Sequence, residues 1–288
     1  MRSIWLCADD YGISPAVNVG IRDLVVRGRL NATSALVVAP SCHHRAEALA
    51  LDVLNRHEPR VAIGLHVALT APFRPLSAGF RPLRDGRFMS LEGTGAYAFL
   101  RRFSHDALMT EIASQLDAFL QTFGRAPDFV DGHHHVHIFP QVRDALLRVA
   151  KERLPQAWLR QCGRAGSFAA RAADGKAIFL DALSGTFRRR AAGLALRTNP
   201  AFAGAYKFDD DADFAALFPR FLEGLPDGGV VMCHPGFVDA ELRNLDPLTT
   251  LREREYAYFA GAAFPAVLAH HGVGLARPSC GNGSTASS

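Results

Sequence analysis

Four short apolar runs in this chain each end in side chains able to do chemistry, and helix-length stretches separate them. Ile4–Ala8 runs into Asp9-Asp10-Tyr11-Gly12. Val61–Thr70 carries His66 near its end. Phe129-Val130 leads into Asp131-Gly132-His133. Val230–Cys233 ends in His234-Pro235-Gly236. Short apolar runs alternating with helices predict parallel βα units. Barrels of such units gather their strand C-termini, and with them the catalytic groups, on one face. The expected fold is therefore an α/β barrel, and 288 residues suit it as a single domain.

The densest segment is Asp131-Gly132-His133-His134-His135-Val136-His137-Ile138-Phe139-Pro140, where four of the twelve histidines fall within five positions. A strand Phe129–His137 would alternate its side chains. Asp131, His133, His135 and His137 would then share one face, with His134, Val136 and Ile138 on the other. Neutral imidazole is the commonest metal ligand, and a carboxylate with imidazoles suits Zn²⁺ or a similar divalent ion. The plainer alternative is a His-rich surface tract or a tag. Tags sit at termini, however, and this run lies between an apolar pair and a helix-starting Pro140.

Other boundaries follow from local signals. Ser14-Pro15 supplies an N-cap and a first-turn proline, so a helix should run to about Arg27 and stop at Gly28. Ala32–Val38 reads as a strand and His43–Arg56 as a helix. Ala71–Gly95, with Pro72, Pro75 and Pro82, is too long for a plain connector and reads as a loop over the site. Leu108, Ile112, Leu116, Phe119 and Phe123 form a core-facing helical stripe ahead of Gly124. Helices are expected over Pro140–Arg153, Phe214–Leu222, Leu251–Phe259 and Phe264–His271, and short strands over Ala157–Gln161 and Val273–Ala276. Cys162–Tyr206 shows no clear periodicity. The barrel domain should occupy 1–278, with 279–288 a Gly/Ser-rich disordered tail.

Composition narrows the function classes. A hydrophobic content of 49% supports a large core, and 21% charged residues favours a globular chain over disorder. The net charge of +4 does not imply nucleic acid, and no nucleic-acid-binding motif is present. Arg188-Arg189-Arg190 reads as a solvated helix face. Five widely spaced cysteines without a CxxC pair predict reduced thiols in a cytoplasmic protein. Asp9-Asp10 breaks the first apolar run too early for a signal peptide, and no apolar run reaches the roughly 18 residues of a transmembrane helix.

Adjacent carboxylates on a strand end cannot both point the same way. One of Asp9 and Asp10 can therefore bind a metal while the other faces the reacting water. With His66 and His133 this makes three protein ligands and an open position, the form of a catalytic site. A metal so held polarises a carbonyl and acidifies water, and the second aspartate is available as general base. His234, with a reference pKa of ~6.5, could protonate a leaving amine. Together these parts describe metal-assisted hydrolysis of an amide. Singly, each has a plainer reading: a turn at Asp-Asp-Tyr-Gly, a satisfied core histidine at His66, a strand cap at His234. His270-His271 looks like a helix C-terminus, where His suits the macrodipole.

Ala8-Asp9-Asp10-Tyr11-Gly12, Gly64-Leu65-His66-Val67-Ala68-Leu69-Thr70, Asp131–His137 and Met232-Cys233-His234-Pro235-Gly236-Phe237-Val238-Asp239 together resemble the YdjC/ChbG carbohydrate deacetylase family, which also includes the HpnK proteins of hopanoid biosynthesis. The resemblance implies an incomplete (β/α) TIM-like barrel and one divalent metal ion, Zn²⁺ first, with Mg²⁺, Co²⁺ or Ni²⁺ as alternatives. It also implies removal of the acetyl group from an N-acetylated amino sugar of the N-acetylglucosamine type, as an oligosaccharide or linked to a lipid. By motif it implies Asp10, His66 and His133 as metal ligands, Asp9 as base and His234 as acid. Tyr11 stands where many members have Phe. Cys162–Tyr206 has no match, and with Ala71–Gly95 it is expected to shape the sugar site.

Two other functions compete: a barrel metallohydrolase of a non-sugar amide, and a non-catalytic metal- or sugar-binding protein. Asp9 weighs against the binder, which needs no second carboxylate beside the ligand. An early Asp-Asp pair also differs from amidohydrolases with His-x-His on the first strand. Association into a homo-oligomer is left open, as are the roles of His135 and His137.

Overall fold

The computed structural model describes residues 1–43, 45–58, 60–165 and 175–278. The expected tail 279–288, with Cys280, lies outside them, as does His44. Among the described residues nine strands form one sheet: β1 (Arg2–Tyr11), β2 (Ala32–Ala35), β3 (Ala62–Val67), β4 (Phe129–Gly132), β5 (Trp158–Leu159), β6 (Arg197–Thr198), β7 (Phe202–Ala203), β8 (Val230–Cys233) and β9 (Val273–Leu275). Ladders between these strands are all parallel. The order is β6-β5-β4-β3-β2-β1-β8-β7, with β9 on the start of β1. Among the described residues β6 and β7 share no ladder, so the barrel stays open between them, the incomplete (β/α) barrel expected.

The strands read as apolar runs because helices cover them; β3 and β8 are buried at every position. Buried Asn31 fastens the base of the barrel. Its amide accepts from Leu6 N (2.7 Å) and donates to Ile4 O (2.9 Å) and Ala276 O (2.8 Å). It thereby joins β1, the entry to β2 and the end of β9, and leaves no orphan on a fully buried amide.

Ten helices are described: α1 (Pro15–Val26), α2 (Arg45–Asp52), α3 (Leu91–Phe99), α4 (His105–Phe123), α5 (Val142–Arg153), α6 (Gly175–Gly193), α7 (Phe214–Leu222), α8 (Ala240–Leu245), α9 (Thr250–Ala260) and α10 (Ala263–His270). α1 keeps its expected punctuation: Ser14 Oγ accepts from Val17 N at 3.3 Å, and Gly28 follows at φ 66°. Such an N-cap contributes ~1 kcal/mol. The loop after β8 touches α1 backbone to backbone, because a Cβ on Gly20 would lie 2.9 Å from Gly236 Cα. The α4 stripe Leu108, Ile112, Leu116, Phe119 and Phe123 is buried as its spacing predicts, and Gly124 caps it at φ 68°.

The loop expected over Ala71–Gly95 is shorter, because Ser90 accepts from Gly93 N and caps α3, so 91–95 is helical; the remaining 71–90 stretch is tied down. Ala71 N donates to Met89 O (2.8 Å) and Phe88 N to Phe73 O (2.9 Å). From α4, fully buried Glu111 accepts Leu76 N (3.1 Å), Ser77 N (2.8 Å) and Ser77 Oγ (2.7 Å). Cys7, Cys42, Cys162 and Cys233 are free, buried thiols. Among the described residues no helix is long and apolar enough to cross a membrane.

Candidate metal centre and active site

The site begins with a break in β1. Cys7 and Asp9 share one face, with Cys7 Sγ 3.6 Å from Asp9 Oδ1. Strict alternation would turn Asp10 away from them. Instead Asp10 takes φ 70°, and the ladder to β2 slips between Ala8 and Tyr11. A left-handed backbone costs a non-glycine residue about 1–2 kcal/mol. Here it brings both carboxylates into the barrel, so the expectation that they point apart does not hold.

Asp10 Oδ1 lies 3.0 Å from His133 Nδ1 and 3.4 Å from His66 Nε2. One donor atom from each of Asp10, His66 and His133 falls within 4.8 Å of the others, and all three residues are buried. His66 and Asp131 are register partners across β3 and β4, and His66 Nδ1 sits 2.5 Å from Asp131 Oδ1. Ser34 Oγ lies 3.1 Å from the same nitrogen. A carboxylate on the far nitrogen is the usual way a ligating histidine is oriented. Burial opposes charge on His66, but the Asp131 and Asp9 carboxylates and hydrogen bonds to Asp10 and Asp131 outweigh it and hold the ring up at about 10. This surplus of negative charge fits a divalent cation, as does a donor set of one carboxylate and two imidazoles.

Asp9 is gripped from across the barrel. Arg160 follows β5, is fully buried, and sends Nη1 to Asp9 Oδ2 and Nη2 to Asp9 Oδ1, both at 2.6 Å. Nη2 also lies 2.6 Å from Asp131 Oδ2. Burial alone would raise the Asp9 pKa; Arg160 and His66 overcome it and hold the carboxyl well below the usual range.

The histidine run is not a strand. β4 stops at Gly132, and His133–Ile138 coils into a short 3₁₀ segment with His134 and His135 left-handed at φ 54° and 58°. The four imidazoles accordingly go four ways. His133 meets Asp10. His134 is exposed, its Nδ1 3.0 Å from Thr70 Oγ1. His135 Nδ1 lies 3.6 Å from Cys162 Sγ. His137 is fully buried, with Nε2 2.8 Å from Arg160 O. Its ring fills the space a side chain on Gly132 would need, since a Cβ there would meet Nδ1 at 2.9 Å. Helix α5 begins at Val142, two residues after the Pro140 expected to start it.

His234 sits half-buried after β8, its ring edge-on to Phe208 at 5.4 Å. Burial pushes its imidazole down to about 4, so the ring is neutral at pH 7; the expected titration near neutrality is displaced. Its backbone N–H donates to Glu255 Oε2 at 2.5 Å. Glu255 also accepts from Tyr206 OH at 2.6 Å, and burial raises its carboxyl to about 7. One turn earlier on α9, Arg252 reaches Asp10 Oδ2 at 2.6 Å.

Arg160, Arg252 and Glu255 were not legible as site residues. Arg160 had one available signal, its place just past a strand end. The two α9 residues had only their spacing, which any surface ion pair shares. The proline-rich loop does reach the site: Phe73 packs edge-on to His133 at 5.6 Å.

Comparison with known proteins agrees with this architecture. A family model described as YdjC-like protein matches residues 3–270. The chain is 31% identical over 248 residues to a chitooligosaccharide deacetylase of Citrobacter koseri, covering 84% of each. It is 30% identical over 253 residues to one of Escherichia fergusonii, again 84% of each. Among solved structures it is similar to an Enterococcus faecalis V583 protein provisionally named for cellobiose-phosphate cleavage, with a TM-score of 0.73, 23% identity, and coverage of 96% of this chain and 97% of that one. That likeness extends to the open barrel, and the match over nearly the whole sequence places this chain in the YdjC-like family.

Proposed function

We propose that this protein is a metal-dependent deacetylase that removes the acetyl group from an N-acetylated amino sugar of the N-acetylglucosamine type. The observation that carries the reading is the meeting of Asp10, His66 and His133 beside a second carboxylate, Asp9, that Arg160 grips through both oxygens. The names of the Citrobacter and Escherichia relatives support the sugar substrate.

Asp10, His66 and His133 would hold the divalent ion, for which Zn²⁺ suits the donor set best. When bound, such an ion polarises the amide carbonyl and acidifies the attacking water. Asp9 takes the proton from that water at a carboxylate oxygen. A carboxylate held this low is a weak base, so it suits only an acidified donor; Arg160 keeps it ionised and aimed. Asp131 fixes the His66 ring through Nδ1. His234 serves the amide nitrogen. Being neutral at rest, it takes up the proton that Asp9 has removed from the water and passes it to the departing nitrogen.

The test is acetate release from N-acetylated mono-, oligo- and glycolipid substrates by protein loaded with Zn²⁺, Co²⁺, Ni²⁺ or Mg²⁺. Release from sugars supports the reading. Release only from non-sugar amides would make it a different barrel metallohydrolase, and binding without release a non-catalytic binder.

A further inference from the structure

Resting on the deacetylase reading, we propose that Arg252 and Glu255 of α9 form a positioning clamp that sets Asp10 of β1 against His234 of β8. Both are fully buried and three residues apart, and so project from one side of the helix. Each reaches a different strand end. Arg252 Nη2 donates to Asp10 Oδ2 at 2.6 Å, while Asp10 Oδ1 faces His66 and His133. The guanidinium thus occupies Oδ2, and Oδ1 is the oxygen that would be free to serve as a ligand. Its own aim is fixed by Asp246 Oδ2 at 2.6 Å and by Leu248 O, which accepts from Nε at 3.0 Å. Glu255 accepts the His234 backbone N–H, and Arg252 O accepts Gly236 N at 3.1 Å. The loop His234-Pro235-Gly236 therefore hangs from the first turns of α9 by two backbone donors.

Asp10 needs such a restraint, because its left-handed backbone is costly and relaxation would turn the carboxylate out of the barrel. His234 needs one because the residue after a strand end has no ladder to hold it. A single rigid helix turn supplies both, so beyond the β1–β8 ladder, which ends at Ala8 and Cys233, α9 adds a second tie between Asp10 and His234.

The clamp is tested on full-length protein, chelator-stripped and titrated with Zn²⁺ by calorimetry, with acetate release measured in parallel. Arg252→Lys keeps the charge and loses the planar fork; Zn²⁺ affinity should fall about tenfold or more, as for outer partners of metal ligands. Glu255→Leu should leave Zn²⁺ affinity within about threefold while kcat falls about tenfold or more at a nearly unchanged KM. It should also speed hydrogen exchange at the His234 amide. Glu255→Gln keeps an acceptor for that N–H and should recover most of the kcat lost in Glu255→Leu. Unchanged Zn²⁺ affinity in Arg252→Lys would overturn the Asp10 half. A Gln variant as impaired as Leu, or a Leu variant that also loses Zn²⁺, would overturn the His234 half. Exchange at the His234 amide no faster in Glu255→Leu than in wild type would overturn the His234 half without turnover, so wild-type protein that releases no acetate would refute the deacetylase reading while the Zn²⁺ and exchange readouts still decide the clamp.

Discussion

Arg160 and Asp9 meet fork to fork, with two guanidinium nitrogens each 2.6 Å from a different carboxylate oxygen. They belong to β1 and the end of β5, four strands apart in the sheet. The pair spans the barrel interior, and it decides how Asp9 can act. A lysine there would supply charge without the planar match. Arg160→Lys should keep its metal but lose kcat by about 10²-fold, because Asp9 would no longer be held in one orientation. Metal content and kcat measured on the same preparation check this. Unaltered kcat would remove Arg160 from the reaction.

The two aspartates should separate cleanly. Asp10→Asn should lose metal and activity together. Asp9→Asn should keep metal and lose about 10²–10⁴-fold in kcat, the usual cost of removing a general base. If Asp9→Asn loses the metal while Asp10→Asn keeps it, the two roles are exchanged.

How much of this was readable in advance depends on whether local signals suffice. α1 was readable because Ser14, Pro15 and Gly28 act within one turn of its ends, and β8 because four apolar residues meet a hard stop at His234. The strand-end residues Asp10, His66 and His133 could be brought together by topology alone. The geometry at Asp10 and in the His133–Ile138 segment could not. Strand alternation assumes negative φ throughout, and three non-glycine residues here break that assumption at 70°, 54° and 58°. β6 and β7 are two residues each, too short for any period to show. α6 buries only a narrow stripe, with Leu183, Phe187 and Ala191 inward among glycine and arginine, so its pattern was faint.

Stability should fall in acid. His137 is held down to about 4, chiefly by burial, as is His234. Between the ordinary value of 6.5 and about 4, the unfolded chain binds protons at these sites that the folded chain refuses. Their contribution is therefore fully present above pH 6.5 and is lost as pH falls toward 4. Urea midpoints measured from pH 7.5 down to about 4.5 should decline, and less steeply in His137→Gln, which keeps a donor for Arg160 O and cannot titrate. Identical slopes would contradict the assignment for His137.

His234→Ala should leave metal content and KM near wild type while kcat falls about 10²-fold. The deficit should shrink on an acetylated aniline that the site accepts, because a better leaving amine needs less help from a proton donor. An undiminished deficit would make His234 a binding residue instead.

Catalysis by one divalent ion held by Asp10, His66 and His133 on an N-acetylated sugar ties these predictions together. It is tested most directly by titrating chelator-stripped wild type and His133→Ala with Zn²⁺ while reading bound metal and acetate release from an N-acetylglucosamine oligomer in the same samples. Acetate release in wild type should rise in step with bound metal and level off at one ion per chain, and His133→Ala should show neither tight binding nor release. Equal metal binding in the two proteins, or release that does not depend on metal, would contradict it.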